Sequence, residues 1–251
     1  MSASRAPRRL VQVLPSVDAL VGAAAESIAR SARDAIAARG RFTVALAGGG
    51  TPRPVYELLA TAYRDAVEWP RVEAFFGDER CVPPGDTRSN FRMADEALLS
   101  RVPVGRVHRM LGELAPREAA ERYEAELRAT LSVEPDGATF DLVLLGVGAD
   151  GHTASLFPGD AVLAERERWT SAVQAPDDAP VRDRVTLTFA SIDAARETLV
   201  LCAGAAKRHV VQALVSDAGD AARRYPAVQA GARGGVRWMA DAVAAGSTAW
   251  Q

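Results

Sequence analysis

Cysteine is scarce: the 251 residues hold two, Cys81 and Cys202, far apart and outside any CxxC spacing. They offer no disulfide framework and no cysteine-rich zinc cluster, so buried free thiols are the reading. Long apolar runs are missing as well, since none approaches the roughly 20 residues needed to span a bilayer. Arg5, Arg8 and Arg9 come before or within "RRLVQVL", whose apolar part is too short for a signal-peptide core. The alanine-rich segment after it is broken by Asp18, Glu26 and Arg30. The chain therefore reads as cytoplasmic, with no membrane partner. Neither sign of charge dominates: 30 Lys and Arg stand against 32 Asp and Glu, a net charge of −2, and the cations are scattered. That balance gives no reason to expect a nucleic-acid partner. Histidine has only three copies, and no His/Cys spacing suits a metal.

What is present is an alternation of apolar runs and helical segments. A chain that is 48% apolar and 25% charged can bury a large core, and a single α/β domain over residues 1–251 is expected. Strands are expected at 8–14, 42–47, 72–77, 140–148, 184–190, 197–204 and 236–241. Helices are expected at 17–39, with Ser16 as N-cap and Gly40 as stop, and at 54–63, about 90–100, 117–131 and 205–217. "FDLVLLGVG" (140–148) is the most apolar strand and reads as a central parallel strand covered on both faces. The order predicts a mainly parallel α/β sheet with helices on both faces.

In such sheets ligands bind beyond the carboxyl ends of the strands. Four loops qualify here. In "AGGGTPRP", Gly48, Gly49 and Gly50 let the backbone approach an anion, Thr51 sits at an N-cap and Pro52 suits the first helical position. The stretch is neither GxGxxG nor GxxxxGK[ST], so a nucleotide is weakly supported, and a plain tight turn is the competing reading. "GDER" brings Asp78, Glu79 and Arg80 past an aromatic strand. Three adjacent charges commonly form a solvated turn, but the Arg80 fork suits a phosphate or a developing oxyanion. "TRSN" adds Arg88, with Ser89 or Asn90 as a helix cap. "GVGADGH" ends in Asp150 and His152, where an imidazole can act as a general base and Asp150 can orient it through a turn. "TASLF" lacks GxSxG, so Ser155 caps or packs. "GAAK" supplies Lys207, and Arg184 opens "RVTLT". His108 and His209 read as structural or solvated.

Taken together, "AGGGTP", "FFGDERCVPPGDTRSNFRMADEALL", "FDLVLLGVGADGHTASLFPG", "RVTLTF" and "GAAKRHVV" resemble the 6-phosphogluconolactonase family, in order and spacing, from about residue 10 to 245. The resemblance implies a fold akin to the glucosamine-6-phosphate deaminase and ribose-5-phosphate isomerase group, a Rossmann-like α/β sheet with extra strands. It implies hydrolysis of 6-phospho-D-glucono-1,5-lactone without metal or organic cofactor, by a monomer or dimer whose partner is the small sugar-phosphate lactone. By position, His152 would be the base, Asp150 and Asp78 would line the site, and Arg80 would bind substrate or steady the oxyanion. Thr51 with its glycines, Arg88, Arg184 and Lys207 would hold phosphate. Ala47 stands where the family usually has serine, and Gly50 where serine or arginine is frequent, which shifts that contact to backbone N–H groups. The related deaminases carry a glutamate five residues after the histidine; here that position is Phe157. A sugar-phosphate sensor without chemistry is the non-enzymatic alternative. The segment "RRYPAVQAGARGGVRWMAD" matches loosely and offers no site residue.

Overall fold

Serine before a helix and glycine after it are chemical stop signs, and the first helix obeys both. In the computed structural model, which describes residues 9–131, 137–216, 221, 224–231 and 233–246, α1 spans Val17–Arg39. Ser16 accepts a hydrogen bond from the Ala19 N–H at 3.1 Å, and Gly40 closes the helix in the left-handed region. The strands of the main sheet follow the apolar runs: β1 (Arg9–Leu14), β2 (Phe42–Leu46), β3 (Val72–Phe76), β5 (Arg106–Val107), β6 (Leu142–Gly146), β9 (Glu197–Cys202) and β10 (Val236–Asp241). Residue 8 of the first expected strand, residue 217 of the late helix and the basic Arg5 and Arg8 lie outside the described residues.

The sheet order is β1-β10-β9-β6-β2-β3-β5, and every ladder in it is parallel. All five residues of β2 are buried, which requires cover on both faces. One face meets α1 and α2 (Pro52–Leu59), whose Ile28, Ala32, Tyr56 and Leu59 close over Val44, Leu46, Ala74 and Leu144. On the other, the Phe75 ring stacks on His108 at 4.2 Å, and His108 Nδ1 lies 2.6 Å from Glu126 of α4 (Pro116–Leu131). His108 is thus a buried structural histidine, as read. From β2 the chain steps outward to β3 and β5; from β6 it steps the opposite way to β9 and β10. The reversal lies between β2 and β6, the place where open α/β sheets bind ligands.

A second, antiparallel sheet departs from the sequence reading. It consists of β4 (Asp78–Arg80), β8 (Asp183–Leu187) and β7 (Thr170–Gln174), in the order β4-β8-β7. The "DER" triplet is therefore a strand, not a solvated turn. Its middle residue is 3% exposed. The Glu79 carboxylate accepts from the N–H groups of Arg80, Asn90 and Phe91, each at 2.7 Å, and from Ser89 Oγ at 2.9 Å. It satisfies the first turn of α3 (Asn90–Ala94), while Ser89 caps Arg92 N as expected. The α3 helix runs on into one wider turn, Asp95–Leu99. Burial pushes the Glu79 carboxyl up, and the four donors oppose that without cancelling it. Glu79→Gln turns an amide NH2 toward groups that are already donors. A loss of about 1–3 kcal/mol is expected, read as a lower urea midpoint at unchanged m-value.

Candidate active site

Four loops meet over the carboxyl ends of β2, β3, β6 and β9 and line a cleft of about 170 Å³. Gly48, Gly49, Gly50 and Thr51 form one wall, Asp78 and Arg80 another, with Arg184, His152 and Lys207 completing it. Nine of the residues anticipated from sequence therefore converge there, and Asp150 stands directly behind His152. Arg88 does not: it is exposed and forked onto Asp86, with Nε 2.9 Å and Nη2 2.7 Å from the carboxylate oxygens. It stands apart from the cleft lining, with its guanidinium held by a local carboxylate. A wider groove beside β7 is lined by Asp160, Glu165 and Asp183, acids that would repel a phosphate.

The turn that carries His152 is built from backbone outward. The Gly148 N–H donates to His152 O at 2.9 Å and the Gly151 N–H to Gly148 O at 3.0 Å, which folds residues 148–152 into a tight loop. That brings Asp150 Oδ1 to 2.6 Å from His152 Nδ1 and 3.1 Å from its N–H. A carboxylate only accepts, so Nδ1 carries the hydrogen and Nε2 keeps the lone pair. Partial burial alone would raise the Asp150 carboxyl, but its contacts with His152 outweigh that and hold it below its ordinary value. The stabilisation from this contact is therefore present above the ordinary carboxylate pKa and is lost as pH falls through the depressed one. Phe157, in the position of the deaminase glutamate, rests its ring 4.9 Å from the imidazole and is buried.

Asp78 is fixed by two groups, Ser155 and Asn90. Ser155, fully buried, donates to Asp78 Oδ2 at 2.6 Å, and Asn90 Nδ2 donates to Oδ1 at 3.0 Å and to the Asp78 carbonyl at 2.9 Å. Ala154, at φ 48°, takes the strained backbone that separates outward His152 from inward Ser155. The Asn90 amide lies so close to Gly48 that a Cβ there would stand 2.0 Å from Oδ1. The loosely matching C-terminal segment also contributes: the Ala227 N–H donates to Gly151 O at 2.9 Å, and the Tyr225 ring lies against Gly151. His209 meets the same tyrosine edge-on at 5.4 Å. No local signal could mark these contacts, which join residues distant in sequence.

Three cations, Arg80, Arg184 and Lys207, line the cleft. Arg80 and Arg184 are direct cross-strand partners on β4 and β8 and both line the cleft. Like charges placed opposite one another are unfavourable unless something negative lies between them. Burial and then the neighbouring Arg80 lower the Arg184 guanidinium. Arg80 donates through Nη1 to Arg88 O at 2.6 Å, yet its buried Nε has no partner. Thr51 occupies the N-cap position as expected but makes no capping bond, which leaves its hydroxyl to the cleft.

A family model described as glucosamine-6-phosphate isomerases/6-phosphogluconolactonase matches residues 15–238. The chain belongs to this family. A 6-phosphogluconolactonase of Synechocystis sp. is 39% identical over 235 residues, covering 92% of this chain and 95% of that protein. One from Streptomyces coelicolor is 40% identical over 237 residues, covering 89% and 88%. The solved 6-phosphogluconolactonase of Trypanosoma brucei superposes with a TM-score of 0.83 at 30% identity, over 97% of this chain and 100% of that one. A monomeric glucosamine-6-phosphate deaminase shares the fold alone, with a TM-score of 0.78 at 19% identity, over 94% and 98%. Family and enzyme class thus agree with the sequence reading. Among the described residues no helix is long and apolar enough to cross a membrane.

Proposed function

We propose that this chain hydrolyses 6-phospho-D-glucono-1,5-lactone to 6-phospho-D-gluconate, the lactone-opening step of the oxidative pentose phosphate pathway, with His152 as general base. The observation that carries the reading is the division of the cleft. A histidine oriented by a carboxylate stands in one loop, and three cations, Arg80, Arg184 and Lys207, line the same space from others. His152 Nε2 takes a proton from water as the oxygen attacks the lactone carbonyl. The tetrahedral oxyanion then collapses, the ring C–O bond breaks, and the proton returns from Nε2 to the departing hydroxyl oxygen. A lactone is electrophilic enough that no covalent nucleophile is needed. Lys207, Arg184, Thr51 and the N–H groups of the glycine turn hold the phosphate, whose binding positions the distant carbonyl. Arg80 supplies positive charge to the substrate, and Asp78 accepts from it.

The test is hydrolysis of 6-phosphogluconolactone followed by acid release, with the spontaneous rate subtracted. A rate at or below that background overturns the proposal. Arg184→Met should raise KM about 10- to 100-fold, the worth of one charge-assisted bond, with kcat less affected. Its urea midpoint should not fall, because a buried like-charge contact with Arg80 disappears with it.

A further inference from the structure

β2 parts from one neighbour early. Its ladder with β3 runs over five positions, from Phe42↔Val72 to Leu46↔Phe76, whereas its ladder with β6 covers two, Val44↔Leu142 and Ala45↔Val143. Beyond Ala45 the two strands have separated, and the cleft opens between them, lined by Ala47, Leu145 and Gly146. Polar groups alternate sides along a strand. Leu46 O is taken by Gly77 N on the β3 side, so the N–H and C=O of Ala47 turn toward missing β6. Ala47 is 7% exposed, and an unpaired peptide there would be costly.

A single side-chain atom serves both groups. Tyr56 Oη accepts from Ala47 N at 2.9 Å and donates to Ala47 O at 2.8 Å. Tyr56 is completely buried on α2, the helix that begins where the glycine turn ends. Its hydroxyl thus ties the last residue before the turn to the helix after it. The same device recurs one strand over. Tyr123 Oη accepts from Phe76 N at 2.9 Å and donates to Phe76 O at 3.2 Å, standing where β5, already ended, would have continued. Tyr123 does not line the cleft. The residues after Phe76 are anchored without it, by Gly77 N to Leu46 O and Leu187 N to Gly77 O.

We propose that Tyr56 is a positioning residue for phosphate binding: its hydroxyl takes the place of the absent β6 partner and so holds the end of β2, and the glycine turn 48–51 attached to it, at the spacing the phosphate requires. This rests on the sugar-phosphate reading of the cleft. Tyr56→Phe and Tyr123→Phe remove the same hydroxyl from the same kind of backbone pair, so both should lose comparable stability in urea. Only Tyr56→Phe should raise KM for 6-phosphogluconolactone, by about tenfold, with kcat within about threefold of wild type. Its kcat/KM on unphosphorylated glucono-1,5-lactone should not change. Amide hydrogen exchange at residues 47–50 should quicken in Tyr56→Phe and not in Tyr123→Phe. Wild-type KM in Tyr56→Phe, or equal changes of KM in the two variants, would make Tyr56 structural only and overturn the proposal. Exchange is read whether or not the chain hydrolyses the lactone. Unchanged exchange at 47–50 therefore sinks the positioning role by itself, while an inactive wild type sinks the lactonase reading by itself.

Discussion

His152→Ala is expected to lower kcat for lactone hydrolysis by about 10²–10⁴-fold, the usual worth of a general base. The fold should survive the change. The imidazole is one-third exposed, and its side-chain partners are Asp150 and the Phe157 ring. The backbone bonds that shape its turn involve no side chain of residue 152. KM should stay close to wild type, because the phosphate contacts come from other loops. Steady-state kinetics with the spontaneous rate subtracted, alongside urea unfolding, separates these effects. Turnover within a few-fold of wild type would remove His152 from the mechanism.

Gly148→Ala should be nearly as damaging, although it changes none of the side chains proposed to act in the reaction. A Cβ at residue 148 would stand 2.1 Å from His152 Nδ1, 2.2 Å from Cε1 and 2.6 Å from Asp150 Oδ1. No real contact is that short, so the pair must separate or the turn must open. Either movement takes Nε2 from its place, and misplacement by about 1 Å can cost on the order of 100-fold in rate. The expected pattern is a collapsed kcat with phosphate binding retained. Gly22→Ala is the control: it sits within α1, where a Cβ meets nothing within 4 Å. It should gain about 0.5–1 kcal/mol through helix propensity and leave kinetics untouched. Gly148→Ala with more than a third of wild-type kcat would show that the turn yields freely.

The main sheet was legible because its signals are local. Apolar runs such as "FTVAL" and "LVLLG" are buried on both faces, and Ser16 and Gly40 act within one turn of their helix. The second sheet was not, because nothing local makes "DER" a strand. Its ladder depends on Val185 and its neighbours, about a hundred residues away, and on a helix start that satisfies Glu79. "TSAVQ" was missed for a related reason: small and polar residues carry little strand preference until a partner is supplied. At the cleft, residue types and strand ends pointed to the glycine turn, Asp78, Arg80, His152, Arg184 and Lys207, which all line it. Arg88 looked equivalent, since no sequence rule says which arginine a nearby aspartate will capture. The supports, namely Ser155 beneath Asp78, Asn90 against Gly48 and Tyr225 behind Gly151, join residues that only the fold brings together.

The position of β1 has a consequence for how the molecule comes into being. β1 pairs with β10 alone, and β10 separates it from β9. On the ribosome β1 is made before the other described strands, yet the one strand it pairs with among the described residues emerges after all of them. Until β10 arrives, β9 is a bare edge and β1 an unclaimed ribbon, a pairing of long sequence separation that slows assembly and invites association between nascent chains. The Ala227 bond to the turn that carries His152 is likewise completed late. Translation that stalls before β10 would leave the loops that line the cleft already made but unbraced, so the cleft is complete only after β10 has emerged.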